Sequence, residues 1–282
     1  MPATVVTFPS GATSGQATVT RVAGDVVVLD ATPFHPVDHT WPDQPGDAGV
    51  LRAGERNVEV VEAVMAAEDV DGALFVGRDI PVKRGTEGWI WLVGHRLFEP
   101  APDWLAEGSV VTADVDAARR AALSRGHTAC HLSSLALDAA LADLWRKEIG
   151  VDPLGNPDFE GRANQTSSIH PDESIDEYRL GKSLRKAGFD SEGFAASLAE
   201  RQERINARLA EWVATDAASR VVADGQTIVD RRRWECDLPE GTVGFLCGGT
   251  HAASLAEFAS VRVALSLDDP QLLVMTTTVV PA

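Results

Sequence analysis

Two short stretches, HTACH at residues 127–131 and CGGTH at residues 247–251, decide how this chain must fold. In the first stretch two histidines are four residues apart, and side chains at that spacing lie on one face of an α-helix. In the second stretch a cysteine and a histidine flank two glycines and a threonine, so that both side chains can reach one ion. We therefore expect a helix and a tight loop to meet, although they lie 116 residues apart in the chain.

The residue types of the two stretches favour zinc. Imidazole nitrogen and thiolate sulfur suit zinc better than magnesium or calcium, which prefer oxygen ligands. Thr128 occupies the position at which zinc proteases of the His-Glu-x-x-His type carry their glutamate, so this is a different kind of site. Either pair alone is more often a core or surface pair, and only their combination favours a metal. The predicted ligands of one Zn2+ per chain are His127, His131, Cys247 and His251.

The composition is that of a globular protein, with 44% hydrophobic and 24% charged residues in a chain of 282. Because no basic segment precedes a long apolar run, and no stretch reaches the roughly 18 apolar residues of a membrane span, we expect a cytoplasmic protein without a membrane partner. In a reducing compartment the three cysteines are better explained as ligands or core residues than as disulfide partners. A net charge of −17 argues against broad binding to nucleic acid, DNA included, but leaves room for a local basic patch.

The spacing of apolar residues indicates an α+β fold. Short strands with Gly, Pro and Asp punctuation fill the N-terminal part, including a hairpin over residues 16–29, and a long loop spans residues 32–49. This pattern predicts a small β-barrel-like domain over residues 1–105. Residues 106–282 are predicted to form an α/β zinc-binding domain with an antiparallel sheet and two long helices. The helices are expected over residues 116–147 and from Asp190-Ser191 onward, and the strands over residues 242–246, 261–267 and 272–280.

Four segments resemble the editing domain of alanyl-tRNA synthetase and its freestanding AlaX-type relatives. This editing domain is also known as the second additional domain of alanyl- and threonyl-tRNA synthetases. Residues 34–36, FHP, with QPGDAG at 44–49, are similar to the family's aromatic-Pro and Gly-Gly-Gln-Pro-x-Asp-x-Gly segment. VDAARR at 115–120 resembles the entry to its metal helix, and residues 127–132 resemble its first ligand motif. CGGTH at 247–251 matches its second ligand motif fully. The resemblance runs from about residue 24 to residue 267, with gaps.

The resemblance implies a zinc-dependent deacylase that proofreads translation by removing a wrong amino acid from the 3′ end of a charged tRNA, without ATP. It implies a barrel-like N-terminal domain and a C-terminal α/β editing domain. It also implies that zinc-bound water carries out the hydrolysis and that Gln44 and Asp47 contact the acyl group or the tRNA end. The expected partner is the acceptor end of an alanine or threonine tRNA.

Local chemistry adds two pairs of residues. Thr128 and Thr250 flank ligands and could orient water or a substrate hydroxyl, although an ordinary helix threonine and an ordinary turn threonine explain them equally well. Arg185 and Arg232 belong to two basic clusters, residues 182–186 and 231–233, which either contact tRNA phosphates or form a solvated face.

The loop expected to select the substrate departs from the family pattern. It is lengthened by residues 37–41, VDHTW, and Pro42-Asp43 replaces the usual Gly-Gly before Gln44. The resemblance implies a serine-like acyl group, and the altered loop suggests a threonine-like analogue as the variant. Two other functions stay open: a zinc hydrolase of a small ester or amide, which the net negative charge favours slightly, and a zinc-stabilised binding module without turnover. The second stays open because closed four-ligand zinc sites are usually structural.

Overall fold

A computed structural model describes residues 2–282, which form two compact units. The first comprises the chain up to Ala121 together with Val221–Arg233 and Leu246–Thr250. The second comprises Ala122–Arg220, Trp234–Phe245 and His251–Ala282. The described residues are mostly sheet with five α-helices, two of them long, so the predicted α+β class is confirmed. The division between residues 105 and 106 stays a prediction.

Nine strands lie in the chain before residue 116. They are β1 (Val5–Val6), β2 (Ser14–Ala23), β3 (Val26–Leu29), β4 (Ala31–Thr32), β5 (Gly49–Ala53), β6 (Arg56–Glu68), β7 (Leu74–Val76), β8 (Ile90–Leu97) and β9 (Val110–Val115). Seven of them form one sheet in the order β5-β9-β2-β3-β8-β6-β7, and β5 also pairs with β6. The sheet is therefore ring-like, which is the part of the barrel-like prediction that the pairing supports. The short strands β1 and β4 pair in parallel beside it.

The predicted hairpin over residues 16–29 is confirmed as β2 and β3. Gly24 takes φ +62° at the turn, a conformation that glycine adopts at little cost. The register pairs Val19 with Leu29 and Ala23 with Val26, and Val27, Leu29 and Val93 are fully buried in the core of this unit. The predicted long loop is also present, since no strand element lies between β4 and β5 among the described residues.

The second sheet has four antiparallel strands. These are β10 (Asn164–His170), β11 (Glu173–Arg179), β15 (Phe258–Asp269) and β16 (Leu272–Pro281), in the order β10-β11-β16-β15. Because β15 is an edge strand, its free backbone groups need partners. Gln202 accepts from Leu265 N at 2.8 Å, and Asn206 both accepts from Val263 N at 2.7 Å and donates to Val263 O at 2.9 Å. One helix thus covers this edge through its amide side chains.

The helices are α1 (Ala117–Leu141), α2 (Glu160–Ala163), α3 (Lys182–Lys186), α4 (Ser191–Ala196) and α5 (Leu198–Val213). The predicted first helix is confirmed as α1, which continues as a single 3-10 turn over Ala142–Leu144. The prediction of one long helix from Asp190-Ser191 is wrong in its start. Asp190 does cap α4, but Ser197 separates α4 from α5, because its hydroxyl donates to Gly193 O at 2.7 Å and competes with the helical backbone.

Three further strands form a small sheet in the order β12-β13-β14. They are β12 (Ser219–Ala223), β13 (Arg232–Leu238) and β14 (Gly241–Leu246), and β14 agrees with the strand predicted over residues 242–246. In residues 2–282 no helix combines the length and the apolar character needed to cross a membrane.

Candidate metal centre

Two ligand histidines are carried by α1, whose position against the β10–β11 turn depends on a glycine. A Cβ atom added at Gly126 would lie 2.5 Å from His170 O and 2.7 Å from Glu173 O, closer than atoms can pack. Gly126 therefore lets the helix approach this turn closely, immediately before His127. The rings of His127 and His131 lie 4.9 Å apart between centroids, as the four-residue spacing predicts.

The loop 247–251 follows β14 and is held from both sides. Cys247 N donates to Arg232 O at 3.1 Å, which ties the start of the loop to β13. The buried amide of Gln44 forms two hydrogen bonds with the other end of the loop. Thr250 N donates to Gln44 Oε1 at 3.0 Å, and Gln44 Nε2 donates to Thr250 Oγ1 at 2.8 Å. The side chain of Gln44 therefore helps to position the loop through Thr250, and its contact with the substrate stays a prediction.

His251 is oriented by Thr128. The hydroxyl of Thr128 lies 3.2 Å from His251 Nδ1 and accepts from Ala252 N at 3.0 Å. Because Nδ1 is engaged in this way, Nε2 is the nitrogen left to face an ion, and a metal-binding histidine is usually fixed by such a contact on its other nitrogen. His251 also stacks on His131 at a centroid distance of 5.1 Å.

The four predicted ligands come together. One ligand atom from each of His127, His131, Cys247 and His251 lies within 4.8 Å of the other three, so the group could hold a metal ion. Nε2 of His131 is shielded from solvent and has no hydrogen-bond partner among the described residues. A buried polar atom of this kind is costly unless an ion or a proton donor satisfies it, and a cation bound by the group would do so.

The surroundings keep His127, His131 and Cys247 uncharged in the absence of a metal. Burial lowers the pKa of His127 to about 3 and holds the pKa of His131 well below its usual range, so both imidazoles are neutral, which is the form that binds a metal. Burial raises the pKa of the Cys247 thiol to about 12. Since a metal binds the thiolate, coordination would release this proton.

Two aromatic residues missed by the sequence reasoning form the wall behind His131. Its ring lies 5.1 Å from the ring of Trp234 and 5.0 Å from that of Phe245. A signal existed for Trp234, because alternation along β13 gives Arg232 and Trp234 the same face, and both are buried. These rings exclude water from one side of the ligand group.

Other predicted site residues have protein partners that define their surroundings. Asp47 is buried and forms an ion pair with Arg120, whose Nε lies 2.8 Å and 2.9 Å from its two carboxylate oxygens, and it also accepts from His35 N at 2.5 Å. Arg185 lies on α3 with an exposed side chain that donates to Leu180 O at 3.2 Å. The substrate contacts of Asp47 and Arg185 stay predictions.

Arg232 does not belong to a solvated face. It is 6% exposed, whereas Arg231 and Arg233 on either side are exposed. Its guanidinium carbon lies 5.2 Å from the centre of the Phe8 ring. Asp43 lies in the same surroundings, and burial raises the pKa of its carboxyl to about 6. Both residues contribute to the electrostatic environment of the Cys247 thiol.

Curated alanine–tRNA ligases are similar to this chain. The ligase of Frankia alni is 29% identical over 247 residues, which make up 84% of this chain and 22% of the ligase. The ligase of a Synechococcus species is 31% identical over 270 residues, or 89% of this chain and 24% of the ligase. The ligase of Paraburkholderia phymatum is 34% identical over 123 residues, or 44% of this chain.

The chain spans about a quarter of the length of the first two ligases. No protein-family model matches it. The resemblance inferred from the ligand motifs is nevertheless confirmed: over most of its length this chain resembles alanine–tRNA ligases, in agreement with an AlaX-like editing domain.

Proposed function

We propose that the chain is a zinc-dependent aminoacyl-tRNA deacylase that edits in trans, hydrolysing the ester between a wrong amino acid and the 3′ end of a tRNA. The observation that carries the proposal is the convergence of four ligand atoms within 4.8 Å of one another. The similarity to alanine–tRNA ligases supports tRNA as the partner. Within the proposal the enzyme works in the cytoplasm and uses neither a membrane nor DNA.

The donor set fits zinc. Three imidazoles and one thiolate match the nitrogen and sulfur ligands that zinc takes in tetrahedral sites. Magnesium and calcium prefer oxygen ligands and would bind weakly to this set. The unpartnered Nε2 of His131 is explained by such an ion. Bound zinc would act as a Lewis acid that polarises an ester carbonyl and acidifies water. The aminoacyl ester is already activated, so this modest assistance suffices.

The surrounding residues fall into two groups: those that orient the metal-binding side chains and those proposed to contact the substrate. Thr128 orients His251 through Nδ1, and Gln44 orients the loop through Thr250. We propose both threonines as positioning residues whose hydroxyls also lie next to the reacting ester. The proposed contacts of the tRNA end are Gln44, Asp47, Arg185 and Arg232. The proposed acyl group is serine on alanine tRNA, with a threonine-like analogue as the variant.

A panel of mischarged tRNAs tests the proposal. Purified protein with zinc is mixed with seryl-, glycyl- and threonyl-esters of alanine and threonine tRNAs, and ester loss is followed over time. We expect rapid loss of one serine-like ester, slow loss of correctly charged tRNA, and no acceleration by the His131→Ala variant. Equal, slow loss of every ester in the presence of wild-type protein would contradict the proposal.

A hydrolase of small esters or amides is the second function that the chain supports, because its net charge of −17 disfavours a polyanionic substrate. Activity on small aminoacyl esters without activity on any charged tRNA would favour it. Removal of the metal with a chelator distinguishes an enzyme from a binding module without turnover. A structural zinc site should unfold when the metal is removed, whereas a catalytic one should lose activity and keep its secondary structure.

A further inference from the structure

Arg232 is a buried cation that forms no ion pair or hydrogen bond with a carboxylate in the described part of the chain, although Asp230 and Asp38 act on it electrostatically. It is 6% exposed, and its Nε has no hydrogen-bond partner among the described residues. Its terminal nitrogens reach only main-chain oxygens, at 3.2 Å from Asp230 O and at 3.4 and 3.5 Å from Ile228 O. A buried guanidinium held by long contacts to neutral acceptors pays a desolvation cost that an anion would offset. Burial accordingly lowers the pKa of Arg232 to about 10.

A second guanidinium lies beside it. A Cβ atom added at Gly248 would meet Arg84 Nη1 at 3.7 Å and Arg232 Nη2 at 3.8 Å. Both arginines therefore border the same glycine, which directly follows the ligand Cys247. Arg84 is partly exposed, with 35% of its side-chain surface accessible, so this pair of cations is open to solvent on one side. Because Gly248 has no side chain, the space between the backbone and the two guanidiniums is kept clear.

An exposed aromatic residue of the lengthened loop is connected to Arg84 through the carboxylate of Asp38. Asp38 Oδ2 lies 3.2 Å from Arg84 Nη1, and Asp38 Oδ1 accepts from Trp41 N at 3.1 Å. One carboxylate thus connects the exposed arginine to the turn that carries Trp41, whose side chain is 49% exposed. Asp38 forms its ion pair with Arg84 and acts on Arg232 only electrostatically, so one carboxylate serves two guanidiniums at this place.

We propose that Arg84 and Arg232 bind the phosphodiester that precedes the terminal adenosine of a nucleic acid 3′ end, with Trp41 as a stacking surface for a base. This proposal rests on the proposed function and names the part of the substrate that this place receives. Guanidinium groups suit phosphate because they offer forked donors, and exposed aromatic side chains bind unpaired bases by stacking. An isolated carboxylate ligand would use the arginines but would give Trp41 no role.

The site lies beside the loop 247–251, which suits a substrate whose ester must reach the metal ligands. The residues that lengthen the loop in this chain, 37–41, include both Asp38 and Trp41. The insertion therefore supplies contacts for the nucleotide part of the substrate. Selection of the acyl group is left to other residues.

Equilibrium binding of two small probes tests the site without any hydrolysis. Adenosine and the dinucleotide CpA share the terminal nucleoside, and only CpA carries the phosphodiester. For the zinc-loaded protein we expect CpA to bind about tenfold more tightly than adenosine. A ratio of this size in the dissociation constants is what a hydrogen bond to a charged group contributes. The Arg84→Ala variant should remove this difference and leave adenosine binding unchanged.

Arg78→Ala is the matched control, because Arg78 is an exposed arginine on a 3-10 turn six residues earlier in the chain. It should keep the tenfold difference. Arg232→Met preserves the length of a buried side chain and should also remove the difference. If Arg232→Met does not fold, Arg84→Ala alone decides the question. Trp41→Ala should weaken both probes by a similar factor, and all variants should keep their zinc content.

The proposal is overturned if CpA binds no more tightly than adenosine, or if the difference survives in Arg84→Ala. The test is independent of the deacylase assay. If the wild-type protein hydrolyses no charged tRNA but prefers CpA, and Arg84→Ala abolishes that preference, the phosphate site is supported and the deacylase function is refuted. A protein that edits charged tRNA and shows no such loss refutes the phosphate site alone.

Discussion

The Nε2 atom of His131 and the whole ring of His95 are shielded from water, but only the ring nitrogens of His95 have hydrogen-bond partners among the described residues. His95 Nε2 lies 2.8 Å from Thr32 Oγ1 and His95 Nδ1 lies 3.0 Å from Val27 O. His131 Nε2 has no hydrogen-bond partner in the described part of the chain, and its ring is walled by Trp234 and Phe245. Burial lowers the pKa of both imidazoles.

The difference teaches how a structural histidine is told from a ligand. Burial alone does not distinguish them, because it makes each ring neutral. What distinguishes them is the set of groups around the ring nitrogens. A hydroxyl and a carbonyl lie beside His95, whereas three other side chains that could bind the same metal ion lie around His131. The following predictions test whether this contrast is real.

The largest effect is expected for His131→Ala. Removing a ligand should lower zinc affinity more than about hundredfold, since even residues that only support ligands change affinity by 10–100-fold. Deacylation should fall with the zinc content. Zinc is measured by competition with a chromogenic chelator, and His170→Ala, at an exposed histidine, is the control. Unchanged zinc affinity in His131→Ala would contradict the distinction between His131 as a metal ligand and His95 as a structural histidine.

The next effect is a loss of stability in acid that originates at His95. The pKa of this ring falls from 6.5 to about 4 in the folded protein. The unfolded chain therefore takes up the proton first, so the contribution of His95 is complete above pH 6.5 and is lost as the pH falls toward 4. The full loss amounts to about 3 kcal/mol.

Urea unfolding at several pH values between neutrality and pH 5 measures this effect. Because His127 also has a lowered pKa without metal, the informative quantity is the difference between the wild type and His95→Leu. The wild type should lose stability more steeply than the variant. Parallel pH profiles would show that His95 does not titrate in this way.

His95→Leu should also separate stability from metal binding at neutral pH. Leucine fills a similar volume but removes the ring contacts to Val27 O and Thr32 Oγ1, which should cost about 1–3 kcal/mol in the free energy of unfolding. Zinc stoichiometry should stay at the wild-type level, which atomic emission measures. A loss of zinc without a loss of stability would invert the assignment of the two histidines.

The smallest effect concerns the support of the loop. Gln44→Ala and Thr250→Val should each lower zinc affinity about tenfold, as expected for residues that orient ligands. Because Gln44→Ala removes both hydrogen bonds, whereas Thr250→Val keeps the one donated by the backbone N of Thr250, the double variant should be no worse than Gln44→Ala. Additive losses would mean that Gln44 and Thr250 act separately.

The ligand set and its elements could be predicted from the sequence because they depend on local spacing. The four-residue separations put His127 beside His131 and Cys247 near His251, and the helix and strand patterns around them are regular. The start of α5 could not be predicted in this way, since the break depends on how the Ser197 hydroxyl bonds to the preceding turn.

Residues that act across the chain were also beyond local patterns. The substrate contact of Gln44 stays a prediction, and what the sequence did not indicate is that its amide is bonded to Thr250, 206 residues away. Arg232 looked like part of an exposed basic run, and only the alternation of β13 explains its burial. Charge and spacing report what a side chain can do, and the tertiary contacts decide which of these options is used.

X-ray absorption of the zinc-loaded protein tests the central claim most directly. If the four side chains form the metal centre, the spectrum should show a tetrahedral shell with one sulfur at about 2.3 Å and nitrogens at about 2.0–2.1 Å. A shell without sulfur, or a chain that binds no zinc when metal is supplied, would contradict the account.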